Sequence, residues 1–205
     1  MMTKSVPEFV VAADQVGLQI TAEQQDALWV AAQWLASGAR ARGLSQYEEP
    51  EAALMRAMAP ALAFFAFDER PRQGLVADLG AGNGALGATI ALLDPDIEVV
   101  LIDRAQRAHT MCEILIARMR LDNARVLLAD LDTRPVERYD GLVFRALAAA
   151  GSALDLARAA TRAEGFIGAY HAHDDADYLC PHEALQVIAT VRTAVPDLVL
   201  TGYRT

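Results

Sequence analysis

A chain of 205 residues with 54% hydrophobic and 22% charged residues is long enough to bury one sizeable core, and that composition excludes global disorder. Only two cysteines are present, Cys112 and Cys180, which excludes a disulfide scaffold. The formal net charge of −9 excludes a broadly basic surface but leaves room for a local arginine patch. Arginines fall in pairs, such as Arg40 and Arg42 or Arg104 and Arg107, not in a continuous stripe.

The opening segment MMTKSVPEFVVAADQVG has no long apolar run of the signal-peptide kind, and no later stretch approaches the roughly 20 apolar residues of a membrane span. A cytoplasmic protein without a membrane partner is the expectation. A short helix is expected over Glu8 to Val16. Thr21 and Gln24 then form a capping box for a helix that carries Leu28, Trp29 and Leu35 and ends at Gly43. The two tryptophans, Trp29 and Trp34, are five residues apart, about 140° round the axis, and read as packing residues. A third helix follows Pro50 through EAALMRAMAPALAFF, with a kink or stop at Pro60.

From residue 74 the pattern changes to short β-like runs, GLVADL, IEVVLI, ARVLLAD, YDGLVFR and EGFIGAY. The stretches ALGATIALL, AQRAHTMCEILIARMRL and GSALDLARAAT between them are long enough for crossover helices. Strands alternating with helices imply βαβ units and a mostly parallel sheet. The final stretch reads as two apolar strands around Pro196 and Asp197, an antiparallel pair at one sheet edge. The organisation expected is one domain over residues 1–205, with a helical cap over 1–70 and an α/β core over 71–205.

The first strand runs directly into DLGAGNGALG, residues 78–87. Strand, glycine loop and helix in that order make the first βα turn of a nucleotide-type fold, whose ligands sit beyond the carboxyl ends of the strands. GAGNGA satisfies the dinucleotide pattern, so NAD is one reading. Two features favour another ligand. Asp78 stands at the strand end, where a carboxylate suits a cationic or hydrogen-bond-donating ligand better than a pyrophosphate. Asp130, ending the third strand, is placed to receive an adenine amino group, while Asp103, ending the second, can accept from ribose hydroxyls under either reading. Together with the loop they describe an S-adenosylmethionine pocket.

The stretch VADLGAGNGALGATIALLDPDIEVVLIDRAQRAHTMCEILIARMRLDN, followed by YDGLVFRALAA, resembles the RsmG family, also called GidB, of small-subunit ribosomal RNA guanine methyltransferases. The resemblance covers most of the chain. It implies a Rossmann-like class I methyltransferase fold and S-adenosylmethionine as cofactor, and it places ribosomal RNA, methylated at guanine N7, on the substrate side. Asp78, Gly80, Gly82, Gly84 and Gly87 match the family's cofactor loop, Asp103 its ribose acid, Arg145 the arginine of its R-A pair, and Asn123 the asparagine before its third strand. The candidate cofactor site is therefore Asp78, Gly80, Gly82, Asn83, Gly84, Asp103, Arg104, Asp130 and Leu131, with Arg145 as the candidate catalytic residue.

Departures concentrate on the substrate side. The family's R-H-x-x-D-S helix keeps Arg56 but has Ala57, Pro60 and Ala61 in place of histidine, aspartate and serine. Gly43 stands for the asparagine of an N-L-T segment, Gln106 for the lysine before Arg107, Asp130 for an arginine, and His171 with Ala172 for a K-G pair. Losing cations weakens phosphate recognition. Three hypotheses follow: a diverged RNA guanine methyltransferase, a small-molecule N- or O-methyltransferase, and a non-catalytic cofactor-binding relative. The segment HAHDD, residues 171–175, with Cys180 and His182 beyond it, is expected to be a loop on the ligand side. It reads as solvated, as substrate-contacting or as metal-ligating. Cys112 is expected to be a buried thiol.

Overall fold

The computed structural model describes residues 6–130, 137–145, 150–178 and 185–205. Its centre is a seven-stranded sheet in the order β3-β2-β1-β4-β5-β7-β6. The strands are β1 (Gly74–Leu79), β2 (Ile97–Asp103), β3 (Ala124–Leu128), β4 (Tyr139–Arg145), β5 (Thr161–Ala172), β6 (Gln186–Arg192) and β7 (Leu198–Arg204). The first five pair in parallel, while β7 is antiparallel to both β5 and β6. The expected C-terminal antiparallel pair is present, with β7 inserted between β5 and the edge strand β6. Strand order reverses at β1, between β2 and β4, and a crevice opens at that switch point beyond the strands' carboxyl ends.

Alternation along the strands feeds two apolar cores. Val76, Val99, Leu101 and Val143 face α4 (Ala85–Leu93), α5 (Gln106–Met119) and the N-terminal helices. Ala77, Val100, Leu142 and Phe144 face α6 (Ala150–Ala160). Helices on both faces of a parallel sheet give the doubly wound architecture expected. None among the described residues is long and apolar enough to cross a membrane.

The cap begins with α1 (Pro7–Gln15) and α2 (Ala22–Trp34). The Thr21 and Gln24 capping box is formed in both directions, and the Gln24 side chain also donates to the Leu92 carbonyl at 2.9 Å near the end of α4. The helix continues through a π-helical turn, Leu35–Ala39, and stops at Gly43 (φ +65°). There Gly43 N–H donates to Arg40 O and Leu44 N–H to Ala39 O, a Schellman closure that uses the left-handed glycine. Trp34 is buried, with the guanidinium groups of Arg42 and Arg118 lying 5.2 and 4.3 Å from its ring centroid.

The third helix departs from a simple kink. It is α-helical only over α3 (Pro50–Ala53), π-helical over Leu54–Met58 and 3₁₀-helical over Ala59–Ala66. Pro60 has no N–H to give the Arg56 carbonyl four residues back, so the regular ladder cannot pass this point. The Arg56 carbonyl is thereby left without its i+4 donor. The fifth strand also starts earlier than its apolar run suggests, at Thr161 directly after α6, through a register shift opposite Tyr139 and Gly141 and a left-handed Glu164 (φ +61°).

Candidate active site

A cleft of ≈ 440 Å³ lies at the switch point, lined by Asp78, Gly80, Ala81, Gly82, Asn83 and Leu86 from the first βα turn. Ala105, Arg107 and Ala108 enter from the start of α5, Arg145 from the end of β4, and Gly43 and Leu44 from the cap. That volume is in the range that holds a cofactor-sized ligand, roughly 300 to 1,000 Å³.

Gly84 (φ +76°) caps the start of α4 in the left-handed region. A Cβ there would fall 2.9 Å from Cys112 Sγ and 3.1 Å from Leu101 Cδ2, so conformation and space both require glycine. Gly82 (φ +58°) serves differently: a Cβ there would meet only the Gly80 carbonyl, 3.8 Å away, and without one the backbone stays open to the cleft. Cys112 is fully buried beneath the loop with Sγ 3.7 Å from Gly82 O, and burial together with Asp78 and Asp103 pushes its thiol pKa up. It is a packing residue, as its sequence position implied.

The loop's amides decide between the two cofactor readings. Gly80 and Ala81 N–H donate to Ile102 O, Gly84 N–H to Ala81 O, and Gly82 N–H to Asp103 Oδ2 at 2.9 Å. Ala85 N–H donates to Asn83 Oδ1 at 3.1 Å and Gly87 N–H to Asp78 Oδ2 at 2.8 Å. A pyrophosphate site needs such amides free to donate. Here they are engaged, two of them by carboxylates, so the loop presents acceptors and negative charge instead.

Asp78 is 1% exposed yet contributes to the cleft wall. Burial raises its pKa to about 6, against the lowering effects of the Gly87 N–H and the Arg145 charge. Tyr170, the register partner of Arg145 on β5, is also buried. Burial and the Asp78 charge push its pKa up, keeping it protonated. Asp103 holds the second turn as well as the loop, since its Oδ1 accepts from Ala105 N–H at 2.8 Å.

The cleft rim is cationic. Arg107 Nη2 donates to Arg42 O at 2.7 Å and Gly43 O at 3.0 Å, the carbonyls left over where the cap helix ends. Arg145 Nη1 reaches the Arg56 carbonyl that Pro60 leaves without an i+4 donor, at 3.4 Å. Both guanidinium groups thus meet the carbonyl of another arginine, not a carboxylate. The ion pairs between described residues involve Arg40, Arg70, Arg72, Arg125, Arg162 and His109, and none of these pairs includes Arg42, Arg56, Arg104, Arg107 or Arg145. Asp140, a conceivable partner for Arg145, is held instead by Arg162 and by Leu75 N–H. Arg107 and Arg145, far apart in sequence, meet at one rim.

Of the sequence-predicted residues, Asp78, Gly80, Gly82, Asn83 and Arg145 line the cleft itself. Gly84, Asp103 and Arg104 belong to the first two βα turns but are not among the lining residues. Ala129 N–H donates to Asp103 O, which carries the exposed Asp130 to the same end of the sheet, outside the lining. Leu131 lies outside the described residues, as do Cys180 and His182. Missed from sequence were Ala81, Leu86, Ala105, Ala108, and above all Gly43, Leu44 and Arg107, whose place in the cleft depends on the cap meeting α5. The K-R position of Arg107 and the N-L-T position of Gly43 were the signals available.

The expectation of a ligand-side loop at His171 is corrected. His171 lies inside β5, buried, with its ring stacked on Tyr178 at 4.6 Å. Its Nδ1 faces Ala172 O at 2.8 Å and its Nε2 faces Thr201 Oγ1 at 2.8 Å. A carbonyl only accepts, so Nδ1 carries the proton, and Nε2 accepts from Thr201, which in turn accepts from Thr190 at 2.9 Å. Burial lowers the His171 pKa, consistent with a neutral ring that ties β5, β7 and β6 together.

The family described as GidB, rRNA small subunit methyltransferase G, matches residues 24–201. A protein named Ribosomal RNA small subunit methyltransferase G from Pseudomonas putida is 26% identical over 140 residues, 68% of this chain, and the match spans 64% of that relative's length. A protein of the same name from Haemophilus ducreyi is 22% identical over 97% of this chain and 95% of its own. Among solved structures, coclaurine N-methyltransferase bound to N-methylheliamine and SAH has a TM-score of 0.55 at 18% identity, covering 89% of this chain and 70% of its own, a likeness of fold. With its sheet order, glycine turn and matched span, the chain belongs to the GidB family of rRNA small subunit methyltransferase G.

Proposed function

We propose that this chain transfers a methyl group from S-adenosylmethionine to a guanine, at N7, of small-subunit ribosomal RNA. The observation that carries the reading is the charge separation in the cleft. Carboxylates and a glycine loop with six engaged amides lie inside, and arginines whose partners are carbonyls lie on the rim. A cofactor bearing a sulfonium, an ammonium and ribose hydroxyls fits the acidic interior, whereas a pyrophosphate does not. A polyanion fits the rim, despite the net charge of −9.

In this reading Asp103 accepts from the ribose hydroxyls, Asp78 faces the amino-acid portion, and Gly82 lets the backbone approach the ligand closely. Asp130 and Leu131 complete the adenine side, with Arg104 at the turn beside Asp103. When bound, S-adenosylmethionine supplies an electrophilic methyl group whose departure from sulfur drives the transfer. The protein's contribution is alignment. Arg145, with a planar guanidinium at the strand end beside the Tyr170 hydroxyl, orients the acceptor ring. A ring nitrogen attacks through its own lone pair, so the site needs no general base. Arg42, Arg56, Arg104 and Arg107 contact phosphates.

The test is methyl transfer from labelled S-adenosylmethionine to small-subunit ribosomal RNA lacking the modification, repeated across salt concentrations. Label is expected in guanine. Four phosphate contacts at about 0.7 counterions each give an expected slope of about −3 for log affinity against log salt. Binding indifferent to salt, or label that never enters RNA, contradicts the substrate assignment.

A further inference from the structure

We infer that Arg107 is a positioning residue, a latch that holds the cap wall of the cleft closed over the cofactor. Gly43 and Leu44 form the cap's share of the cleft wall, about thirty residues upstream of the first strand. The wall is the end of a helix closed by a Schellman turn, which satisfies the carbonyls of Ala39 and Arg40 and leaves those of Arg42 and Gly43 pointing outward. Arg107, in the first turn of α5, takes both with a single nitrogen, at 2.7 and 3.0 Å. The same side chain lines the cleft.

The connection is direct and local. On the core side, Arg107 is four residues from Asp103, whose carboxylate holds Gly82 and Ala105. On the cap side it grips the residue that turns the chain across the cleft. Neighbouring ties, Arg40 to Glu48 at 2.6 Å and Arg42 Nη1 to Gly38 O at 2.8 Å, lie within the cap and do not span the seam. Arg107 does span it, as does Arg145 through Arg56 O, but Arg145 holds a different segment at a longer distance. The guanidinium is exposed and its partners are neutral, so the latch contributes little to global stability while deciding where the wall sits.

The inference rests on the cofactor reading above, and its test separates the two. S-adenosylhomocysteine dissociation is measured without RNA for the wild type, Arg107→Ala and Arg107→Lys, together with amide hydrogen exchange of ligand-free protein over residues 40–48. Arg107→Ala is expected to release the ligand about tenfold faster, with little change in association rate, and to speed exchange at Gly43 and Leu44 about tenfold. Arg107→Lys, still able to donate to both carbonyls, is expected to recover within about threefold. Unchanged exchange at Gly43 and Leu44 in Arg107→Ala overturns the latch whether or not ligand binds. Unchanged dissociation overturns its effect on the cofactor. Failure of the wild type to bind S-adenosylhomocysteine removes the cofactor reading, and the exchange comparison still decides whether the wall is held by Arg107.

Discussion

Asp103→Ala is expected to weaken S-adenosylhomocysteine binding by at least about 100-fold, because two charge-assisted hydrogen bonds, each worth about 1.5–3 kcal/mol, disappear together with the ribose acceptor. Asp103 Oδ2 closes the glycine loop through Gly82 N–H, and Oδ1 fixes the turn into α5 through Ala105 N–H. Each oxygen keeps a second lone pair for a ligand hydroxyl. The loop therefore loosens at the same time as the contact is lost. Asp103→Asn distinguishes geometry from charge, since an amide accepts at one oxygen only and places an NH₂ group against the other backbone N–H. It is expected to bind nearly as poorly as the alanine variant. Calorimetry checks both, and affinity within a few-fold of wild type removes Asp103 from the site.

Arg145→Ala is expected to leave S-adenosylhomocysteine affinity within about threefold and to lower turnover about 100-fold, equivalent to about 2.7 kcal/mol of transition-state alignment. Its bond to Arg56 O, at 3.4 Å and exposed, contributes little to folding, so a thermal melt is expected to move by only a degree or two. Lysine at this position restores the positive charge but not the planar fork, so Arg145→Lys is expected to recover RNA affinity more than turnover. Measurement of kcat and KM for the RNA separates these contributions. An unchanged kcat shows that Arg145 does not orient the acceptor.

The core of the fold was legible because its signals are local. GLVADL, IEVVLI and YDGLVFR alternate or run apolar between turn residues, and they form β1, β2 and β4 with bounds that differ by a single residue at β2. Thr21 with Gln24 and the glycine at 43 mark the start and stop of the long cap helix, and each uses a backbone bond a few residues away. Where the outcome depends on partners distant in sequence, the reading failed. His171 looked like a polar loop because histidine and aspartate crowd the stretch, but Thr201 and Thr190 satisfy its ring inside the sheet. Arg107 looked like half of a scattered pair, and its partners lie 65 and 64 residues away. Pro60 announced a break in the helix, as its chemistry requires, but not that the Arg56 carbonyl, denied its i+4 donor, would be met by Arg145. The same convergence gives an acidic chain a cationic rim, which neither net charge nor spacing could reveal.

The most direct test of the account is calorimetric titration of the purified protein with S-adenosylhomocysteine, the demethylated product, beside NAD. Saturable binding of S-adenosylhomocysteine at one site, with no heat from NAD, is the expected result, since the loop amides a pyrophosphate would require are engaged by Asp78, Asn83 and Asp103. Binding of NAD, or of neither compound, would contradict the account.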